Sequence, residues 1–182
     1  MVRPGGRVLD LGCGAGVPST RRLAESFSVV GVDISAEQLT RARRNVPVAE
    51  LVQADLREVG FPAASFDGVC ALYSIAHVPR EDHAQLFSSI GRWLRPGGVF
   101  LASLGSGDLP AWRGDWLGVP MFFSSHSAAE SRRLLDAAGL EPVRDEVVTI
   151  HEPEGEATFH WVLRLNRGQT PNGGRAPFVA LP

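Results

Sequence analysis

The sequence contains no lysine, and all 18 of its basic residues are arginine. Lysine-dependent chemistry is therefore excluded for this chain, including Schiff bases with pyridoxal phosphate and the phosphate-binding lysine of P-loop proteins. There are only two cysteines, Cys13 and Cys70, and both lie in apolar surroundings. They predict reduced core residues rather than a disulfide or a metal-binding framework.

Other absences narrow the class of protein further. The chain has neither a run of about 18 apolar residues nor a charged-then-apolar leader, so we expect no membrane span and a cytoplasmic location. The net charge of −2 gives no sign of a surface that binds nucleic acid. The 182 residues, of which 44% are hydrophobic, suffice for one sizeable core.

The most informative segment is RVLDLGCGAGVPSTRRLAE at 7–25, in which an apolar strand leads through a glycine-rich turn into a helix. Gly12, Gly14 and Gly16 lack Cβ atoms, so the backbone can turn tightly and a ligand can approach its N–H groups. Asp33 ends a second apolar strand, where a carboxylate can accept the hydroxyls of a ribose. These features favour a nucleotide-like ligand, although a tight turn without a ligand would use the same glycines.

A nicotinamide dinucleotide is one alternative for that ligand. Its fingerprint requires glycine or alanine at the end of G-x-G-x-x-G. Val17 stands at that position when the count begins at Gly12, and Ser19 stands there when it begins at Gly14. The departure weakens this interpretation, and a nicotinamide-dependent oxidoreductase remains an alternative.

Asp10, one spacer, and then the three glycines form a motif that resembles the first motif of the class I S-adenosylmethionine-dependent methyltransferases. Four further blocks stand in that family's order, namely VDIS, QADLREV, FDGVCALYSIAHVP and LRPGG. Their succession is more specific than any single block. The resemblance is to small-molecule methyltransferases with a type 11-like domain, and it covers about residues 5–165.

The order of elements predicts an α/β fold, because strands and helices alternate along the chain. Two later β-rich segments, 142–151 and 157–166, are joined only by EPEGE and therefore predict an antiparallel hairpin. The family's last strand is antiparallel and lies beside the fifth. We therefore expect a doubly wound, Rossmann-like, seven-stranded sheet, mostly parallel with an antiparallel last strand, in a methyltransferase domain of residues 1–166. The tail at 167–182 is expected to be disordered, since it mixes glycine, proline and polar residues without periodicity. The other strands are predicted at about 7–13, 28–33, 48–53, 67–73 and 98–104, and the helices at about 18–26, 36–45, 80–94 and 127–138.

The resemblance implies roles for individual residues of the matching motifs. The glycines would lie against the methionine and ribose of S-adenosylmethionine, and Asp10 would help to hold its ammonium group through water. Asp33 would bind the ribose diol, Ile34 would pack on adenine and Asp55 would accept from the adenine amine, although each carboxylate could instead cap a helix or face solvent. The implied cofactor-binding set is Asp10, Gly12, Cys13, Gly14, Gly16, Asp33, Ile34, Asp55, Leu56, Ala71 and Leu72, the last two through backbone carbonyls.

Two residues after the fourth strand are candidates for catalysis. His77 stands at the sheet edge where the resembled family places its acceptor, and a histidine there can take the proton of a hydroxyl. A structural role, in packing or in capping the next helix, is the alternative for His77. Tyr73, the only tyrosine, shares that edge and could orient an acceptor. We expect methyl transfer to a small molecule, with O-methylation slightly favoured over N- or C-methylation, and the alternative is an S-adenosylmethionine-binding module without turnover of its own.

The remaining observations concern partners, metals and the cover of the site. No N-P-P-Y or D-P-P-Y motif follows the fourth strand, which disfavours methylation of nucleic acid, and His126, His151 and His160 lack the spacing of metal ligands. The stretch 105–125 is interpreted as an aromatic-rich loop that forms either an acceptor pocket or a cover for the sheet edge. Family members commonly carry one or two helices before the first strand. Because that strand begins soon after Met1 here, we expect either that the chain is a fragment or an alternative start, or that a second subunit of a homodimer or this stretch covers the site.

Overall fold

Seven strands form the main sheet of the computed structural model, which describes residues 2–116, 118–152 and 155–168. The strands of this sheet are β1 (Arg7–Leu11), β2 (Ser28–Asp33), β3 (Glu50–Gln53), β4 (Phe66–Ala71), β5 (Leu94–Gly105), β8 (Leu140–Glu152) and β9 (Gly155–Asn166). A separate hairpin consists of β6 (Leu109–Trp116) and β7 (Val119–Ser125). The helices are α1 (Ser19–Ala24), α2 (Ala36–Asn45), α3 (His83–Trp93) and α4 (Ala128–Ala137).

The strands of the main sheet lie in the order β3-β2-β1-β4-β5-β9-β8. Pairing is parallel from β3 to β5, whereas β9 runs antiparallel to both β5 and β8. This arrangement confirms the predicted α/β fold with seven strands and an antiparallel last strand. The chain leaves β1 toward β2 on one side and later returns to pair β4 on the other. In open α/β sheets, ligands bind at such a switch point, outside the carboxyl ends of the strands.

The central strands are buried on both faces. Successive residues of β1, β2 and β4 are buried rather than every second one, as parallel strands between two layers require. On α3, Leu86, Phe87, Ile90 and Trp93 recur at helical spacing and join the same core, and Leu135 joins it from α4. The core therefore fixes where each strand ends, and with it the position of the residues that follow.

The start of α2 places the residues after β2 at the edge of the sheet. Ser35 is the N-cap of this helix, and its hydroxyl accepts a hydrogen bond from the backbone N–H of Gln38 over 3.2 Å. The same device begins α4, where Ser127 accepts from the N–H of Glu130. Asp33 is the last residue of β2, and α2 begins at Ala36, so the carboxylate lies between the end of the strand and the start of the helix.

A polar cluster ties α4 to β8 and β9. Asp145 accepts from Arg164 Nη2 and His160 Nε2, each over 2.6 Å, and from Arg132 Nε over 2.8 Å. Arg164 also donates to Asp136 over 2.8 Å, and the side chains of Arg164 and His160 are fully buried. Burial acts to raise the pKa of Asp145, but the hydrogen bonds from His160 and Arg132 outweigh it and hold that pKa below its ordinary value. Burial lowers the pKa of His160. We name Arg132, Asp136, Asp145, His160 and Arg164 the α4 polar cluster.

The stretch interpreted as a loop is a β-hairpin, so that interpretation is wrong. Leu109–Trp116 and Val119–Ser125 form the antiparallel pair β6 and β7, with Gly118 at φ 83° between the strands. Asp115 supports the turn by accepting from the N–H of Gly118 over 2.9 Å. Proline and glycine, which suggested irregular structure, are tolerated because this two-stranded sheet has only edge strands.

Side chains anchor the hairpin to the segment after β4. Ser124 donates to the carbonyl of Val78 over 2.8 Å, and the imidazole Nδ1 of His77 lies 2.9 Å from the carbonyl oxygen of Phe122. The hairpin therefore stands beside the carboxyl end of β4. Four residues of the hairpin line the same cavity as the residues that follow β1 and β2.

Two further predictions concern membrane spans and the tail at 167–182. None of the helices within the described ranges is long and apolar enough to cross a membrane. Of the predicted tail at 167–182, Arg167 forms an ion pair with Glu141 over 2.6 Å, and Gly168 donates to the Asn166 side chain. Residues 169–182 lie outside the described residues.

Candidate active site

The glycine-rich turn after β1 uses its three glycines in different ways. A Cβ on Gly12, which has φ 76°, would lie 2.2 Å from the Cβ of Ser74, so this glycine lets the segment after β4 pack on the turn. A Cβ on Gly16 would lie 3.1 Å from a methyl group of Val46. Gly14, at φ 54°, has nothing within 4 Å of its Cβ position and lines a cavity. The missing side chain of Gly14 therefore leaves room for a ligand rather than for the protein.

Asp33 holds the turn and faces the same cavity. Its Oδ2 accepts from the N–H of Gly14 over 2.8 Å, and its Oδ1 accepts from the N–H of Ser35 over 2.9 Å. A carboxylate oxygen has two lone pairs, so each oxygen retains one for a ligand. Two acceptors fixed side by side by backbone donors suit the vicinal hydroxyls of a ribose.

The residues after β2 and β3 form an apolar wall with one ion pair. The side chain of Ile34 lines the cavity although it is 66% exposed, and Leu56 lines it as well. Asp55 accepts from Arg57 Nη2 over 2.7 Å, and this hydrogen bond is the main reason that the pKa of Asp55 lies below its ordinary value. Ile34 and Leu56 thus offer surface to a flat apolar ring, and Asp55 offers a charged acceptor already held by Arg57.

Asp10 has a different environment from the other predicted carboxylates. It is 1% exposed, and it accepts from the hydroxyl of Thr20 over 2.7 Å and from that of Ser19 over 3.3 Å. Burial raises its pKa. Asp10 thus connects β1 to the start of α1, and it does not line the cavity.

The two predicted catalytic residues follow β4 and line the same cavity. Tyr73 has φ 56°, and its N–H donates to Ser103 Oγ over 2.8 Å. Its ring is 48% exposed and stands edge-on against Phe159, with ring centroids 4.9 Å apart. The ring of His77 packs against Phe123, with centroids 4.8 Å apart. Both side chains line the cavity.

One cavity of about 690 Å³ brings together eight of the thirteen predicted site residues. These are Gly12, Gly14, Asp33, Ile34, Asp55, Leu56, Tyr73 and His77. Five others do not line it, namely Asp10, Cys13, Gly16, Ala71 and Leu72. The Cys13 thiol packs on Gly31 instead, and burial raises its pKa to about 12, as it does for Cys70.

Sequence reasoning missed ten residues that line the cavity. Ser35 and Gln38 follow Asp33 directly, so the capping of α2 was a signal that could have found them. The hairpin residues were signalled only by the aromatic density of their stretch. The missed residues are Ser35, Gln38, Arg57, Ser74, Val78, Pro79, Arg113, Pro120, Met121 and Phe122. Within the described part of the chain, no three or more histidine, cysteine or acidic side chains are grouped to hold a metal ion.

The residues present fit an adenosine-containing cofactor. The open space at Gly14 is a cradle that a side chain would fill, Asp33 offers two spare lone pairs, and Ile34 is an exposed apolar surface beside them. A volume of about 690 Å³ lies within the range of cofactor and substrate sites. Tyr73 and His77 line the same cavity as Asp33.

Comparison with known proteins identifies the cofactor and the family. Residues 8–98, half of the chain, match the family model described as "Methyltransferase domain". The chain is 40% identical over 100 residues to a phosphatidylethanolamine N-methyltransferase of Cereibacter sphaeroides, covering 52% of this chain and 48% of that protein. It is 48% identical over 95 residues to a trans-aconitate 2-methyltransferase of an Azoarcus species, covering 50% and 36%. The chain therefore spans half or less of the length of these two relatives.

A solved structure agrees with the fold over a larger share of the chain. An S-adenosylmethionine-dependent methyltransferase of Methanosarcina mazei superposes with a TM-score of 0.78, covering 90% of this chain and 93% of that one at 18% identity. At this identity the likeness shows the fold alone. The family match, the sheet order and the cavity after β1 and β2 agree with one another. The chain belongs to the class I S-adenosylmethionine-dependent methyltransferases.

Proposed function

We propose that this chain transfers a methyl group from S-adenosylmethionine to a hydroxyl oxygen of a small-molecule acceptor. The observation that carries the proposal is the continuous cavity between Asp33 and His77. Gly14, Asp33 and the residues beside them form a nucleoside cradle, which we name the cofactor end. His77 and the hairpin residues beside it are named the acceptor end. The two relatives described above are named for different acceptors, so family membership does not choose the acceptor, and the residues around His77 must.

The cofactor end of the cavity works by orientation. When bound, S-adenosylmethionine supplies a methyl group on a positively charged sulfur, which is a strong electrophile without further activation. Asp33 would hold the ribose hydroxyls, and Ile34 and Leu56 would hold the adenine ring. The protein's contribution is then to fix the donor so that an acceptor at the other end is aligned with it.

The hydrogen bond of His77 determines which of its two ring nitrogens carries the proton in the neutral ring. The carbonyl oxygen of Phe122 can only accept, so the Nδ1 that lies 2.9 Å from it carries a proton. In the neutral ring, Nε2 then has the lone pair. His77 is therefore held in the tautomer that can take a proton from an acceptor hydroxyl, and Tyr73 can donate a hydrogen bond from the same side of the cavity.

A pair of His77 variants tests this role. His77→Asn keeps a side-chain N–H near the carbonyl of Phe122 but removes Nε2, whereas His77→Ala removes both. We expect His77→Asn to lower turnover on the hydroxyl acceptor by roughly 100-fold, the lower limit for losing a general base, with little change in affinity for S-adenosylhomocysteine. The acceptor is supplied as a deproteinised cell extract with methyl-labelled S-adenosylmethionine, and labelled products are identified by mass.

The controls separate catalysis from structure. Circular dichroism and urea unfolding establish the folded fraction of each variant. Turnover per folded molecule that is intact in His77→Asn, and lost only in His77→Ala, would assign His77 to anchoring the hairpin. Binding of the cofactor without labelling of any product would favour a binding module over an enzyme.

A further inference from the structure

The hairpin β6–β7 gives the acceptor end of the cavity an unusual wall. Pro120, Met121 and Phe122 line it with apolar surface, and Arg113 lines it with a positive charge. Among the residues that line the cavity, the acidic ones are Asp33 and Asp55, which belong to the cofactor end. An anion bound at the acceptor end would therefore lie near the positive charge of Arg113, and none of the acidic residues that line the cavity would lie beside it.

Arg113 is positioned but not neutralised. Its guanidinium carbon lies 4.7 Å from the ring centroid of Phe122, a cation–π contact that holds the side chain over the hairpin. None of the ion pairs in the described part of the chain involves Arg113. Asp115, two residues further along β6, accepts from Gly118 instead. The other arginine of the cavity, Arg57, is already paired with Asp55.

Phe122 connects this cation to the proposed base. Its backbone carbonyl accepts from His77 Nδ1, and its ring lies beneath the guanidinium of Arg113. Both groups line the same cavity and contact the same residue, so they are close enough for one small molecule to reach both. Met121 and Pro120 would cover the part of that molecule between its two polar ends.

We propose that the acceptor is a small hydroxy acid with an apolar body, whose carboxylate binds Arg113 while its hydroxyl lies at His77. A guanidinium presents paired N–H donors that match the two oxygens of a carboxylate. Arg113 is exposed, so these donors are open to a ligand. The proposal rests on methyl transfer to a hydroxyl and adds the substrate class. It makes Arg113 a residue that determines specificity.

The test begins with the charge of the product. Wild-type protein is incubated with deproteinised extract and methyl-labelled S-adenosylmethionine, and the products are separated by anion exchange at pH 7 and treated with mild base. We expect the label in an anionic fraction and stable to base, as a methyl ether of an acid would be. Label in a neutral or cationic fraction overturns the hydroxy acid. Label released as methanol identifies a methyl ester and overturns the hydroxyl as acceptor. No label in any fraction overturns the proposed methyl transfer itself, on which this inference rests.

Three variants then assign the carboxylate contact to Arg113. With the purified acceptor, Arg113→Gln should raise KM at least tenfold with a smaller effect on kcat, and Arg113→Lys should restore part of the affinity because it keeps the charge. Arg44→Gln, at an exposed arginine of α2 that does not line the cavity, should leave KM unchanged. An unchanged KM in Arg113→Gln would overturn the assignment. Affinity for S-adenosylhomocysteine, measured by calorimetry, should be the same in all three variants.

Discussion

At the scale of single residues, the site depends on a contact between Asp33 and the glycine-rich turn. The carboxylate accepts from the N–H groups of Gly14 and Ser35, which are backbone donors and cannot rotate away. Its remaining lone pairs are therefore aimed before any ligand arrives. Pre-organisation of this kind lowers the entropic cost of binding.

Asp33→Ala should weaken S-adenosylmethionine and S-adenosylhomocysteine alike by about 2 kcal/mol, because charge-assisted hydrogen bonds to the ribose are lost from both. Isothermal titration calorimetry measures the change. Glu37→Ala, which removes an exposed carboxylate of α2 outside the cavity, is the matched control and should bind normally. Equal affinities in wild type and Asp33→Ala would remove Asp33 from the site.

Gly14→Val should abolish cofactor binding while the protein remains folded. The added side chain would occupy the open space at Gly14, and the left-handed backbone there would cost about 1–2 kcal/mol of stability. Gly97 is a suitable control because it also has a positive φ, of 80°, and open space at its Cβ position, but does not line the cavity. Gly97→Val should lose similar stability in urea unfolding and bind normally. Normal binding by Gly14→Val would show that the loop is only a turn.

At the scale of elements, the α4 polar cluster holds β8 and β9 against α4 through hydrogen bonds and ion pairs, whereas apolar packing holds the central strands in place. Arg164 is fully buried and satisfies its charge through Asp145 and Asp136. His160 donates to the same carboxylate, and burial keeps its pKa low, so the histidine is neutral and Asp145 is charged. The cluster fixes the antiparallel hairpin β8–β9 against α4.

Asp145→Asn should lower the free energy of unfolding by about 3 kcal/mol, since a buried arginine loses one of its two carboxylates. Glu146→Gln, which breaks an exposed ion pair with Arg144, should leave stability nearly unchanged. Urea unfolding at neutral pH measures both. Similar losses in the two variants would mean that the cluster contributes no more than a surface pair.

The difference in the free energy of unfolding between wild type and Asp145→Asn should depend on pH in one direction. The pKa of Asp145 is lower in the folded protein than its ordinary value of 3.8. Its stabilisation is therefore complete above that value and is lost as the pH falls through the lower folded pKa. The free energy of unfolding of wild type should exceed that of Asp145→Asn by a constant amount from pH 7 to about pH 5. This difference should become smaller only in stronger acid.

At the scale of the whole molecule, binding at the switch point should stabilise the fold, because β1, β2 and β4 all contribute to the cavity at their carboxyl ends. A ligand at 100 times its dissociation constant adds about 2.7 kcal/mol to the free energy of unfolding. For a chain of this size, such a gain corresponds to a rise in Tm of roughly 5–10 °C.

We expect this rise with S-adenosylhomocysteine and no rise with NAD or NADH at the same concentrations. Differential scanning fluorimetry of the wild type measures it, and Gly14→Val serves as the control that should not respond to any of the three. Protection by the nicotinamide cofactors instead would favour an oxidoreductase over methyl transfer.

The order of strands and helices could be predicted from local patterns. Buried runs such as VLDL and SVVGVD, the glycines of the first turn and the short EPEGE connection predicted the sheet and its antiparallel strand. These features are local, since hydrophobic periodicity and turn residues encode an element within a few positions. The stretch 105–125 was misinterpreted because proline and glycine within it also occur in edge strands.

The carboxyl edge of a parallel sheet collects residues from distant parts of the chain, and the sequence alone determined which motifs stand there. Asp33 and the glycine-rich turn could be placed together because both follow predicted neighbouring strands. Only the tertiary structure decided that Arg113 and Phe122 line the same cavity as His77, and that Asp10 is buried away from it. Hydrogen bonds and packing between segments far apart in sequence set those positions, and no local pattern records such contacts.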